Sequence, residues 1–174
     1  SCYVTDPSGT LIANADGIPI HTGGGGFAVR ALLRDFAGRI HQGDVFILSD
    51  PYVAGGNHLP DWVIARPIFV GAGEAARIAG FCCNRAHQSD IGGGLAGTYN
   101  PEATEIWHEG VVIPVVPYHE RGRKVAAIED LLRANSRVPD KLIGDVDALV
   151  AGANVAAART LEVHERYGSA VVAE

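Results

Sequence analysis

The apolar positions change period along the chain. Short apolar runs, SCYVT and TLIANA, flank Asp6-Pro7-Ser8-Gly9, so residues 2–15 read as a β-hairpin closed by a tight turn. After IPIH (18–21) and the glycines at 23–26, FAVRALLRDF (27–36) sets Val29, Leu32, Leu33 and Phe36 at helical spacing, with Gly38 as its stop signal. DVFILS (44–49) is a continuous apolar run, as expected of a buried strand. DWVIARPIFV (61–70) predicts a second strand, in which Pro67 calls for an edge position or a bulge. Residues 76–86 predict a third, and VVIPVVPY (111–118), with its two prolines, another. The glycine-rich stretch that starts at Ile91 predicts a mobile loop over 91–104. The last third is helical. Residues 126–135 carry Ile128, Leu131 and Leu132, and 139–166 carry Leu142, Ile143, Val146, Leu149, Val150, Ala153, Ala157 and Leu161. Pro139 suits a first helical turn. The pattern predicts an α+β fold, with a β-rich N-terminal two-thirds followed by two helices, and residues 1–174 as a single domain.

Composition narrows the class. A chain of 174 residues with 47% hydrophobic and 20% charged residues fits one soluble globular domain. No apolar run approaches the ~20 residues that span a membrane. No basic segment followed by an apolar core marks a secretory signal. The net charge of −6, with Lys and Arg scattered, argues against nucleic acid as a partner. The cysteines are Cys2, Cys82 and Cys83, an odd count without CxxC spacing. A disulfide framework is not supported, and a reducing cytoplasm fits best. Cys82 and Cys83 point to opposite faces of a strand, so one of them is expected in the core. Methionine is absent, position 1 included, which predicts a processed chain or a piece of a longer one.

Two short segments carry candidate chemistry. Gly55-Gly56-Asn57-His58-Leu59-Pro60-Asp61 combines backbone freedom with a stiff exit at Pro60, and so presents His58 and Asp61 from a rigid loop. Asn84-Arg85-Ala86-His87-Gln88-Ser89-Asp90 ends a predicted strand beside the glycine loop. Both contain His-x-x-Asp. Imidazole and carboxylate without thiolate suit Zn, Mn or Fe, and two His with one or two Asp leave positions open, as a catalytic metal requires. Glu105, His108 and Glu109 are second-rank candidates, Glu105 and His108 sharing a face if the stretch is one helical turn. His21 reads equally as buried or as facing the site, while His41, His119 and His164 read as solvated. There is no GxxxxGK[ST], no GxGxxG after a strand and no GxSxG, so no Walker-type ATP site is encoded here.

The strings SDPYVAGGNHLPDW, GFCCNRAHQSDIGGG, ATEIWHEGVVIP and LLRANSRVPDKLIGDVDALVAGANV follow one another in a familiar order. Over about residues 1–168 the chain resembles the hydantoinase B/oxoprolinase family. That family includes the B component of ATP-dependent hydantoinases, the C-terminal half of 5-oxoprolinases, and alpha-type subunits of acetone and acetophenone carboxylases. Its members are much longer, so the resemblance implies the N-terminal part of a B-type subunit. It also implies a division of labour in which an A-type partner binds ATP and phosphorylates an amide or ketone enol oxygen. The B-type subunit then completes ring hydrolysis or carboxylation, with a metal in several members. By this resemblance His58 and His87 are metal ligands, Asp61 and Asp90 further ligands, and Asp61, Asp90 and His87 the catalytic candidates. The implied function is a cyclic amide hydrolase acting on hydantoin or 5-oxoproline-like rings. It would work in a cytoplasmic hetero-oligomer with an A-like ATP-binding subunit and the rest of its own subunit. Two alternatives stand beside it: a ketone carboxylase subunit, and a non-catalytic assembly module that docks the ATP-binding partner.

Overall fold

The structure, a computed structural model, describes residues 1–15, 17–21 and 24–172. Its first element is the expected hairpin, β1 (Cys2–Thr5) and β2 (Leu11–Asn14). Asp6 closes the turn, its Oδ1 accepting from the backbone N–H of Ser8 and Thr10 and from the Ser8 hydroxyl. Gly9 supplies the left-handed residue, at φ +86°. Then follow α1 (Gly25–Phe36), β3 (Val45–Leu48), α2 (Pro51–Ala54), β4 (Asp61–Val70), β5 (Arg77–His87), β6 (Val116–Glu120) and β7 (Arg123–Lys124). The chain ends in α3 (Ala126–Ala134), α4 (Pro139–Tyr167) and the short α5 (Ser169–Val172). All strands pair antiparallel in one sheet of order β2-β1-β5-β4-β3-β6-β7. This is the α+β arrangement that the apolar pattern predicts.

The continuous apolar character of β3 follows from burial on both sides. Val45 and Ile47 join Trp62 and Ile64 of β4 against Leu142, Ile143, Val146 and Val150 of α4. Phe46 and Leu48 join Val63, Ala65 and Cys83 against Ala28, Val29 and Leu32 of α1. The result is three layers, with α1 on one face of the sheet and α3 and α4 on the other. β5 lies inside this sandwich, so both Cys82 and Cys83 are buried, not one of the two as expected. Alternation sends them to opposite faces, and here both faces are covered; burial pushes both thiols above their usual range.

Other expectations shift in detail. Beyond Ala65 β4 has lost its β3 partner, and its register with β5 slips between Ile68 and Phe69, so Pro67 sits where one side is free and a bulge follows. Residues 111–115 are not strand, and only Val116 onward pairs with β3. The prolines at 114 and 117 cannot donate to a ladder, and the segment is held instead by Val111 N–H to the Ile91 carbonyl and by the Ser49 hydroxyl, which accepts from Ile113 N–H. His164, expected in solvent, lies in the last turns of α4 and is buried at 9% exposure.

One glycine of the 23–26 run is fixed by a close approach. A Cβ on Gly24 would lie 1.9 Å from the Gly55 carbonyl oxygen and 2.8 Å from the Arg85 guanidinium. Neither is free to retreat, since Gly55 ends α2 and Arg85 is fully buried. Gly24→Ala is therefore expected to destabilise the fold by about 3 kcal/mol, the upper end of overpacking costs, as a lowered urea midpoint with an unchanged slope.

Candidate metal centre

The register of two strands starts the site. Asp61, the first residue of β4, stands directly opposite His87, the last of β5, so their side chains emerge together on the α1 face. His58 joins them through the turn that precedes β4. Asp61 N–H donates to the His58 carbonyl, and the Pro60 carbonyl accepts from Gln88 N–H at 2.9 Å, folding the segment back over the end of β5. His58 Nε2 lies 2.8 Å from Asp61 Oδ1, and His87 Nδ1 lies 3.4 Å from the same oxygen and 3.2 Å from His58 Nε2. One ligand atom from each of His58, Asp61 and His87 thus falls within 4.8 Å of the other two.

Asp61 is buried at 2% exposure, and its second oxygen is also held. His21 Nε2–H donates to Oδ2 at 3.1 Å, and Asn57 Nδ2 donates to it at 3.3 Å. The His21 ring, 4% exposed, is both buried and facing the site, which joins the two readings the sequence left open. Burial holds His21 below the usual histidine range despite the raising effect of Asp61. Burial and the neighbouring His58 do the same to His87. Two imidazoles and one buried carboxylate form the donor set that a borderline divalent ion prefers, so the residues fit such an ion.

Asp90 lies outside this group, although its motif repeats the spacing of His58 and Asp61. His87 ends its strand and the chain turns away, so the Asp90 carboxylate meets the α3–α4 junction. It accepts from the backbone N–H of Gly92 and Arg137, both at 3.1 Å, and pairs with the Arg137 guanidinium at 3.1 Å. Burial pushes its carboxyl up, but these donors more than offset that and hold it below the usual range. Asp90 pins the start of the glycine loop. Within that loop Gly92 and Gly93 take φ of +84° and +75°, and Gly94 N–H donates to the His108 carbonyl. The stretch over 91–104 has no strand or helix and borders the site through Thr98 and Tyr99.

The second-rank residues divide. Glu105 is extended and stands before a 3-10 turn over Ile106–His108, so it does not share a helical face with His108. His108 Nδ1 accepts from Thr104 N–H and stays outside the metal group. Glu105 and Glu109 line a cleft of about 340 Å³ with Tyr52, Asn57 and His58. Glu109 also borders a second cleft of about 370 Å³, formed with His58, Thr98 and Tyr99. The Tyr99 ring stacks on His87 with centroids 5.2 Å apart.

Two functional residues had no readable signal in the sequence. Arg85, fully buried, sends its guanidinium to the carbonyls of Ala54 and Gly55, two residues before Asn57. It thereby ties the loop bearing His58 to the strand bearing His87. Thr98 meets His87 Nε2 at 2.7 Å from within the glycine-rich loop. Among the described residues no helix is long and apolar enough to cross a membrane.

Comparison with known proteins agrees with this architecture. An uncharacterised protein of Methanocaldococcus jannaschii is 35% identical over 177 residues, covering 100% of this chain and 31% of its own length. The 5-oxoprolinase 1 of Arabidopsis thaliana is 34% identical over 122 residues, which cover 70% of this chain and 9% of the plant protein. Among solved structures, the ATP-dependent caprolactamase of Pseudomonas jessenii superposes with a TM-score of 0.86 at 30% identity, over 96% of this chain and 28% of that one. The chain thus spans under a third of the relatives it matches. A family model, hydantoinase B/oxoprolinase, matches residues 1–174 from end to end, and the chain belongs to that family.

Proposed function

We propose that this chain is the N-terminal part of the B-type subunit of an ATP-dependent cyclic amide hydrolase, and that His58, Asp61 and His87 hold a divalent Zn, Mn or Fe ion in it. The observation that carries the reading is the convergence of three ligand atoms within 4.8 Å, one of them on His58, which lines two clefts. The names of its relatives, 5-oxoprolinase and caprolactamase, supply the substrate class: hydantoin, 5-oxoproline or a similar lactam. Amide resonance makes such a ring carbonyl a poor electrophile, and phosphorylation of its oxygen by an A-type partner would relieve that. ATP belongs to the partner in this reading, because the chain lacks a phosphate-binding loop.

A divalent ion at this position supplies Lewis-acid polarisation and lowers the pKa of water. The chain's own residues do the rest. Asp61 balances charge, and with both its oxygens engaged it acts as a ligand rather than a free base. His58 and His87 keep edges toward solvent, giving a small ring access to the ligand group. Glu109, on the wall of both clefts beside His58, is the carboxylate available to accept a proton from water entering there.

The test uses the full-length subunit with its partner. Metal analysis is expected to find about one divalent ion per chain, lost in His58→Ala, with ATP-dependent turnover of hydantoin, 5-oxoproline or caprolactam lost alongside it. A metal-free active complex, or turnover of acetone with bicarbonate in place of lactams, overturns the reading.

A further inference from the structure

We infer that Thr98 is the positioning residue that fixes the proton of His87 on Nε2 and so directs Nδ1, not Nε2, to the metal. The inference rests on the metal reading above and adds to it the ligand atom and the residue that selects it.

The argument is one of proton counting. Thr98 Oγ1 lies 2.7 Å from the Gly97 carbonyl oxygen and 2.7 Å from His87 Nε2. A carbonyl oxygen only accepts, so the single hydroxyl proton of Thr98 goes to Gly97. Oγ1 then faces His87 Nε2 with lone pairs alone, and Nε2 must carry the hydrogen. A neutral imidazole has one N–H, so Nδ1 is left bare, and Nδ1 is the atom that points at Asp61 and His58. A histidine ligand whose remote N–H is held by an oxygen acceptor is oriented and made more basic at the ligating nitrogen.

Two further observations single Thr98 out. Its side chain is buried at 6% exposure, between the exposed Gly97 and Tyr99. Its φ is +66°, a conformation that costs a β-branched residue free energy and that its neighbour Gly97 adopts freely at +88°. Packing alone would be served by a glycine here. The strained threonine is accounted for by what its hydroxyl does. Tyr99, the next residue, stacks on the same imidazole and holds the ring plane that the hydrogen bond requires.

The experiment uses the full-length subunit with its partner, stripped of metal and reloaded with Zn(II) or Co(II). Thr98→Val keeps the shape and removes the acceptor. It is expected to weaken Zn(II) binding, read by chelator competition, about 10–100-fold, and to change the visible absorption of the Co(II)-loaded protein. Thr98→Ser keeps the hydroxyl and is expected to restore both affinity and spectrum. Thr98→Gly, which takes the φ of +66° without strain, covers the case in which the valine chain does not fold and is expected to weaken binding like valine. Wild-type affinity in Thr98→Val or Thr98→Gly, or a serine variant as weak as valine, overturns the role of the hydroxyl. A wild-type subunit that takes up no metal overturns the metal reading, and this inference with it.

Discussion

Asp61→Asn is expected to remove the metal from the full-length subunit and to lower ATP-dependent turnover on the order of 10³-fold. The substitution barely changes volume, so the effect isolates charge and acceptor count. Asp61 turns Oδ1 toward His58 Nε2 and His87 Nδ1, the other ligand atoms, while Oδ2 accepts from His21 and Asn57. An asparagine in the same rotamer either loses the oxygen beside the ligand atoms or turns an NH₂ toward His21 and Asn57, setting donor against donor. If His21 switches tautomer to accept from that NH₂, its Nδ1 becomes a donor and the arrangement with Ser1 Oγ at 3.1 Å must change with it. The ion meanwhile loses the one negative ligand of the group, leaving two neutral imidazoles to hold a double charge. Breaking a buried charge partnership costs about 3–5 kcal/mol, or a fall of roughly two to three and a half decades in affinity at about 1.4 kcal/mol per tenfold. Equilibrium dialysis at neutral pH reads the affinity directly. An asparagine variant that retains its ion and its turnover would show that Asp61 serves the fold and not the metal.

Arg85→Met is expected to lower the stability of the subunit by about 3 kcal/mol and to loosen metal binding without touching a ligand. Two opposing effects decide the sign. A buried cation is expensive, and replacing one with an apolar side chain is stabilising in some proteins. Here that relief is small. The Arg85 guanidinium faces the C-terminal carbonyls of α2, where the helix end carries partial negative charge. It also lies diagonally across the strands from Asp61, since Val63 opposes Arg85 and Asp61 opposes His87. Methionine leaves the Ala54 and Gly55 carbonyls without their donor, at about 1–3 kcal/mol for each buried orphan. The sum favours destabilisation, seen as a fall in melting temperature. Because Gly55 leads directly into Asn57 and His58, the loop that delivers one ligand loses its brace. A methionine variant that melts higher than wild type would mean that desolvation of the cation outweighs its hydrogen bonds.

Sequence pattern carried the fold wherever structure is local. The hairpin, α1, the strands at 44–49, 61–70 and 76–86 and both long helices follow from periodicity within one segment. α2 was not visible, because four residues are too few to show a period. Residues 111–115 misled, because valine and isoleucine suit a strand but the intervening prolines deny it a ladder. The site divides along the same line. His58 and Asp61 share one turn, so their spacing is their geometry. His87 and Asp90 have equal spacing, yet a strand end separates them, and Asp90 finds Arg137, 47 residues away in the chain. His21 reaches Asp61 across 40 residues, and Thr98 reaches His87 from a loop with no pattern. Such partnerships are made by register and loop path, which no local motif states.

The site's parts differ in how they are attached to the fold. Asp61 and His87 grow from the ends of two central strands, and His58 from a turn clamped by Arg85. Tyr99, Glu105 and Glu109, which shape the clefts, stand on the connection that also carries Asn100, Pro101 and Thr104, and Tyr52 stands on the short α2. A mutation in those connections alters the walls and leaves the sheet's hydrogen bonds intact, whereas one at a strand end disturbs both. On the proposed function, lineages that carry this scaffold are thus free to drift in ring size and substituent preference while the His58, Asp61 and His87 group stays under purifying selection. Divergence among relatives should accumulate at 52 and 105 sooner than at 58, 61, 87, 98 and 109, and exchanging the 100–108 segment between two of them offers a direct route to a new substrate range.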